Sequence, residues 1–499
     1  MKRYSIAAVC LSACMLLAAC TPMASNTDGA ELTSAVNTQE EAKVSAAESE
    51  PETAEEESAF SKAQGNASAH EKKASEGGKK KPSNSSKSSE KKTDNNKKGK
   101  ESKSSDKKSE RKTDSTAVSD TSAQNAALVL QNGDALTGGT YTATDTDESA
   151  LEASGSVTAA VTGAVIDKAS GDASSADASS FRGVNAGVRV YGNANVTLTD
   201  CSITASAQNA TGVFAYENGV IALYDCTVNV TGGGAGGVQV AGGGTLYGNN
   251  LTVTSASKAA IRSDRGGGTM VIDGGTYTST GSNGCPAIYS TADITVKNAD
   301  CVSTNSRAVI IEGKNSVTLE NVILSGNGQS TKVGSVKANV LLYQSASGDA
   351  SVGTSVFTMT GGSMKANTGA MFYCTNTASV INLENAELLL SDDSTLLIVS
   401  TGRWGKDGKN GGNCTLNAMK QILVGDICVD AISSLVLNLT EGSTCTGAIT
   451  GEGKIAVSID GTSTWTLTGD SYISSFDGDL SQVVLNGYTL YVNGVAYNG

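Results

Sequence analysis

Residues able to do chemistry are few in this 499-residue chain, and their placement narrows the chemistry further. The one histidine, His70, stands in a Lys- and Ser-rich stretch, which leaves no His-activated nucleophile and no His-ligated metal elsewhere. Asp392-Asp393 is a paired carboxylate, set after Leu388-Leu389-Leu390-Ser391 and before Ser394. Arg262-Ser263-Asp264-Arg265 clusters guanidinium with carboxylate. Neither has a second acidic group in register, so both are expected as solvated turns. Asp145-Thr146-Asp147-Glu148 and Asp477-Gly478-Asp479 carry too few oxygens for more than weak Ca2+ binding. No metal site and no cofactor are therefore expected. Gly232-Gly233-Gly234-Ala235-Gly236-Gly237 fits a dinucleotide fingerprint by spelling. No helix follows to hold a pyrophosphate, and a glycine-rich corner is expected instead.

Cysteine is the remaining reactive type. Beyond residue 20 it occurs at Cys201, Cys226, Cys285, Cys301, Cys374, Cys414, Cys428 and Cys445. Cys201 and Cys226 follow the same motif, Leu198-Thr199-Asp200-Cys201 and Leu223-Tyr224-Asp225-Cys226. Equivalent positions on neighbouring strands lie about 4.8 Å apart, within the about 4.4 to 6.8 Å of a disulfide. Either a bond or a ladder of inert buried thiols satisfies that spacing.

Met1-Lys2-Arg3 precedes an apolar run from Ile6 to Ala19, too short to span a bilayer and laid out as a secretory signal. Its end, Leu17-Ala18-Ala19-Cys20, resembles the lipobox of bacterial prolipoproteins. That resemblance implies a lipid on Cys20, a signal over 1–20 and a membrane-anchored protein on the extracellular face. Residues 21–122 are Ser-, Lys-, Glu- and Asn-rich and contain a single aromatic residue, Phe60. So little apolar surface cannot offset the entropy of ordering the chain, and a disordered linker is expected. As a flexible coil it would average about 55 Å end to end and reach at most about 330 Å. Lys79-Lys80-Lys81, Lys91-Lys92, Lys97-Lys98 and Lys107-Lys108 fit a solvated spacer or a segment binding anionic wall polymers.

Aromatic residues make up 4% of the chain, Gly numbers 57 and Pro only 4, a balance favouring short strands and many turns. The net charge of -13 falls largely after the linker, where acidic and basic blocks have cancelled, so nucleic acid is not an expected partner. Repeats organise that region. Val188, Val213, Val238, Ile261, Ile288 and Val309 form one apolar series. Leu198, Leu223, Leu246, Val271, Val296 and Leu319 form a second, and Ile203, Val228, Leu251 and Leu324 a third. Units of about 25 residues with three alternating strands cannot bury their own apolar faces, so they must stack. The expected architecture is an all-β solenoid, with repeats over 123–410 and a continuation and cap over 411–499.

Gly187-Val188-Arg189-Val190 followed by Asn195-Val196-Thr197-Leu198-Thr199-Asp200 resembles the repeats of right-handed parallel β-helix, pectin-lyase-like surface proteins of Gram-positive bacteria. Thr401-Gly402-Arg403-Trp404-Gly405 and Trp465-Thr466-Leu467-Thr468-Gly469-Asp470-Ser471 are similar to the tail of that group. The resemblance implies a right-handed parallel β-helix and adhesin-like display. It also admits polysaccharide lyases and hydrolases, and a purely structural envelope protein.

Alternation sends the residues after each first-series anchor outward: Arg189, Phe214, Gln239, Arg262 and Tyr289, with Tyr191, Tyr216 and Asp264 two positions on. Rings and hydrogen-bonding groups in a flat ladder suit an extracellular glycan or a host surface. The same rings would also serve as a stabilising stack. The expected function is a lipid-anchored binding protein, with catalysis the alternative.

Overall fold

Strands form because apolar and polar residues alternate over short runs, punctuated by residues that tolerate left-handed backbone. The computed structural model describes residues 125–282, 285–328, 336–392 and 394–497. Cys20, His70, the signal, the whole linker and Asp393 lie outside the described residues. In one coil Val188–Tyr191, Asn195–Thr199 and Ser202–Ala205 are the three strands. The next coil repeats them as Val213–Tyr216, Val220–Tyr224 and Thr227–Val230. Each strand pairs in parallel with its counterpart, Val188 beside Val213, Val196 beside Ile221 and Ile203 beside Val228. First strands build a 13-stranded parallel sheet, while most second and third strands share a 22-stranded one. This is a parallel β-helix, whose same-sheet crossovers obey a right-handed rule. Stacking runs through residue 410 unbroken, with Ile381 paired to Leu416.

One left-handed residue makes the bend between second and third strands: Asp200 (φ 52), Asp225 (φ 53), Asn250 (φ 51), Asn298 (φ 49) and Asn321 (φ 54). Asn and Asp pay least for this backbone among residues with a Cβ. Their side chains also tie coils together, Asn250 Nδ2 donating to Asp225 Oδ1 at 2.7 Å and Asn298 Nδ2 to Asp273 Oδ1 at 2.8 Å.

The first apolar series stacks as its spacing implies, Val188 through Val309 falling in one register file. The second series is corrected. Leu223 pairs with Gly248, whereas Leu246 pairs with Ile221, and Val271 faces outward opposite Tyr247. The cause lies at the bend. Cys201, Cys226 and Leu251 share a file, and a Cβ on Gly248 would lie 2.9 Å from Leu251 Cδ1. The larger Leu251 fills space that a side chain at 248 would need.

Coil length decides what lies outside the first sheet. Leu151 pairs with Val188, 37 residues on, and the surplus chain includes helix α1, Ala176–Arg182. Ser175 caps α1 by accepting from the Ala178 N–H at 3.2 Å, and Gly183 ends it in left-handed backbone (φ 68). A Cβ at Gly183 would lie 2.4 Å from the Phe214 ring, so glycine lets the chain leave α1 directly over that ring. Among the described residues, no helix is long and apolar enough to cross a membrane. At the far end Leu490–Val492 turns through Asn493 (φ 48) and Gly494 (φ 76) to pair antiparallel with Val495–Tyr497. Two successive positive-φ residues suit a tight hairpin, which closes the last coil.

Candidate functional site

The outward file of the first sheet runs Glu152, Arg189, Phe214, Gln239, Arg262, Tyr289, Ile310, Leu341 and Tyr373. The expected exposure of its residues does not hold. Arg189, Tyr191, Phe214, Gln239, Arg262 and Asp264 are buried, and Tyr216 and Tyr289 are half-buried. Alternation correctly turns these side chains away from the core, but inserted chain covers them.

Helix α1 covers one stretch. Arg189 Nε donates to the Arg182 carbonyl and Gln239 Nε2 to the Ser180 carbonyl, each at 2.8 Å. Charges beneath are paired, as burial requires. Arg189 Nη1 reaches Glu152 Oε2 at 3.4 Å, and its guanidinium lies 4.0 Å from the Tyr191 ring centre. The Tyr191 hydroxyl donates to Glu152 Oε1 at 3.0 Å, and burial, with Glu152 beside it, raises that phenol above its ordinary value.

A second cover, residues 344–350, spans the next stretch. Glu312 is buried and accepts from Tyr289 at 2.8 Å, Tyr343 at 2.9 Å and Ser347 at 3.3 Å, with Ser345 as a fourth donor. Burial, with Tyr343 and Glu312 alongside, pushes the Tyr289 phenol well above its ordinary value. Arg262 donates to Asp264 Oδ2 at 2.9 Å and lies over the Tyr289 ring, while Asp264 Oδ1 accepts from the Arg265 N–H. The expected solvated turn at Arg262-Ser263-Asp264-Arg265 is thus a buried ion pair. Arg265 joins the covers, reaching Asp349 at 2.6 Å and stacking 4.0 Å over Phe181 of α1.

Other expected positions are occupied by structure-building contacts. Glu148 Oε2 accepts the Thr144 and Asp145 N–H groups, Asp147 accepts from Ser174, and the Lys168 ammonium donates to the Asp145 carbonyl at 2.6 Å. Burial lowers the Lys168 value against the pull of Glu148, Asp145, Asp147 and Asp172. Asp479 Oδ1 accepts from the Ser481 N–H. No group of three or more His, Cys, Asp or Glu residues is placed to hold a metal among the described residues. Gly232–Gly237 is a corner preceding the strand Val238–Ala241, and a Cβ at Gly237 would lie 2.5 Å from the Ala260 carbonyl oxygen. Cys201 and Cys226 stack as equivalent positions and are free thiols, each also donating to backbone carbonyls.

Rings do reach solvent on another face. Tyr224 is 43% and Tyr247 47% exposed on the outer side of the second strands. Tyr224 pairs with Asn249 and Ala222 with Tyr247, so the rings lie on a diagonal with Cα atoms about 8 Å apart. Thr197, Thr199, Thr245 and Asn249 surround them with hydroxyl and amide groups. The signal was present in Ala222-Leu223-Tyr224 and Thr245-Leu246-Tyr247, where each ring alternates with an inward leucine. The first-sheet file also opens near its end, at Cys428 and Thr450, and beyond it, on a separate three-stranded sheet, Tyr472, 45% exposed, stacks on Tyr491 at 4.8 Å and 5°. No family model matches the chain, and neither a curated protein nor a solved structure matches it.

Proposed function

We propose that this is a lipid-anchored, cell-surface β-helix of the adhesin type that binds a neutral extracellular glycan. Exposure of Tyr224 and Tyr247 beside Thr and Asn side chains on the outer face of the second strands carries the reading. Rings present faces on which sugar rings stack, while the neighbouring Thr and Asn side chains supply donors and acceptors. The tether and the lipid on Cys20 would hold this face away from the membrane, and the Lys-rich segment would engage anionic wall polymers. An acidic solenoid disfavours strongly anionic ligands. Binding is favoured over polysaccharide cleavage because Arg262, Asp264 and Glu312 are spent on one another and on hydroxyls.

A glycan array with the wild-type chain and the Tyr224→Ala/Tyr247→Ala double variant tests the proposal. Removing ring anchors should weaken binding by roughly 30-fold, equivalent to about 2 kcal/mol. Thermal unfolding should be nearly unchanged, since exposed substitutions move stability by about 0.5 kcal/mol or less. Absence of wild-type binding to any glycan would sink the reading, and undiminished binding by the variant would remove these rings from it.

A further inference from the structure

The geometry points to a modification site that the repeat pattern did not reveal: Cys374 and Cys414 form a dithiol that closes to a disulfide between successive coils. Cys374 lies on the first strand Ala370–Thr375, and Cys414 on the second strand Asn413–Met419 of the following coil. Both side chains point into the core and are buried, with their sulfurs 3.6 Å apart. A disulfide needs about 2.05 Å between sulfurs, so they must approach by only about 1.5 Å. Backbones are already in contact here, since a Cβ on Gly412 would lie 2.5 Å from the Cys374 carbonyl oxygen. Gly412 therefore brings the strand carrying Cys414 against the strand carrying Cys374.

Cys201, Cys226, Cys285 and Cys428 have further or other surroundings. Cys201 and Cys226 also contact each other, but each thiol is shared with backbone carbonyls, Cys201 with Val161 and Thr199 and Cys226 with Leu198 and Tyr224. Cys285 donates to the Ser257 carbonyl, and Cys428 is exposed on the first-sheet file. The Cys374 thiol donates to the Cys414 sulfur.

The oxidant is a disulfide, either a small molecule such as oxidised glutathione or a thiol-disulfide oxidoreductase. One cysteine, as thiolate, attacks an oxidant sulfur, forming a mixed disulfide and releasing the oxidant's first thiolate. The second cysteine, deprotonated, attacks the protein sulfur of that bond and expels the other thiolate. Two protein thiols lose two electrons and two protons, and the oxidant becomes two thiols. Contact with Cys374, then burial, holds the Cys414 thiol well above its ordinary value once the coils have packed. The bond must therefore form as they close. A crosslink across 40 residues constrains the unfolded chain.

Refolding the full chain with oxidised and reduced glutathione, blocking free thiols without reduction and digesting with trypsin tests this. Cys374 falls in peptide 366–403 and Cys414 in peptide 410–420, so their bond joins two separate peptides. Cys201 and Cys226 share peptide 190–258, where a bond would only remove two hydrogens, so the two pairs cannot be confused. The expected product is a 366–403/410–420 conjugate that disappears on reduction. Recovery of both peptides unlinked and alkylated from the folded protein overturns the inference. Oxidised wild type should also melt above reduced wild type, and that gap should vanish in Cys374→Ala. A gap of unchanged size in the variant overturns it as well.

Discussion

The outward file of the first sheet is one structural element with two fates. From Glu152 to Tyr373 it is mostly roofed by inserted chain and holds ion pairs, a carboxylate surrounded by hydroxyls and buried rings. At Cys428 and Thr450 the same file is open, and so is Tyr472 on the separate three-stranded sheet that follows. Coil length separates them. Val340 pairs with Phe372, 32 residues on, and that span includes chain for the cover 344–350. Ser434 pairs with Lys454 after 20 residues and Ser471 with Leu490 after 19, which leaves almost none. Strand alternation thus states which side chains leave the core, while turn length states whether they meet water.

The sharpest way to break this contrast is to truncate one ring in each stretch. Phe214→Ala, under Gly183, should cost about 3–5 kcal/mol by lost burial and a cavity. That cost should appear as a large fall in denaturant midpoint. Tyr472→Ala should cost about 1 kcal/mol, the value of an exposed aromatic stack. Equal losses would erase the distinction between covered and open stretches.

Smaller effects sharpen it. Tyr289→Phe removes one of four donors to buried Glu312, a loss of about 1–2 kcal/mol. Chemical denaturation should find it while hydrogen exchange places the loosening at residues 344–350. In the open stretch, acid provides the probe. Asp460 accepts from the Glu441 N–H at 2.8 Å and from Thr462, and these bonds hold its carboxyl well below the ordinary value. A depressed folded value contributes stability that is complete above about pH 4 and is lost progressively as pH falls below it. Asp460→Asn should flatten that acid dependence slightly, read by the melting temperature between about pH 2 and pH 5.

Much of the fold was legible. Val188 through Val309 stack one upon another as their spacing required, and Asp and Asn marked the bends. The register slip at Leu246 was hidden because exchanging Gly248 for Leu251 as core filler preserves composition while moving the apolar position. The ligand ladder was misplaced for a longer-range reason. Nothing local to Arg189 or Phe214 announces that a helix from the preceding coil folds over them. Tyr224 and Tyr247 showed their outward direction in the alternation, but their diagonal placement beside Thr199 and Asn249 appears only when coils are stacked. Cys374 and Cys414 sit at non-equivalent repeat positions, so no periodicity could pair them.

Hydroxyl-radical footprinting of the folded chain most directly tests where its rings meet solvent. The expected result is early modification of Tyr224, Tyr247 and Tyr472, with Phe214 and Tyr373 protected until the chain unfolds. Modification of Phe214 and Tyr373 as early as Tyr472 would show an uncovered first face and contradict the division into covered and open stretches.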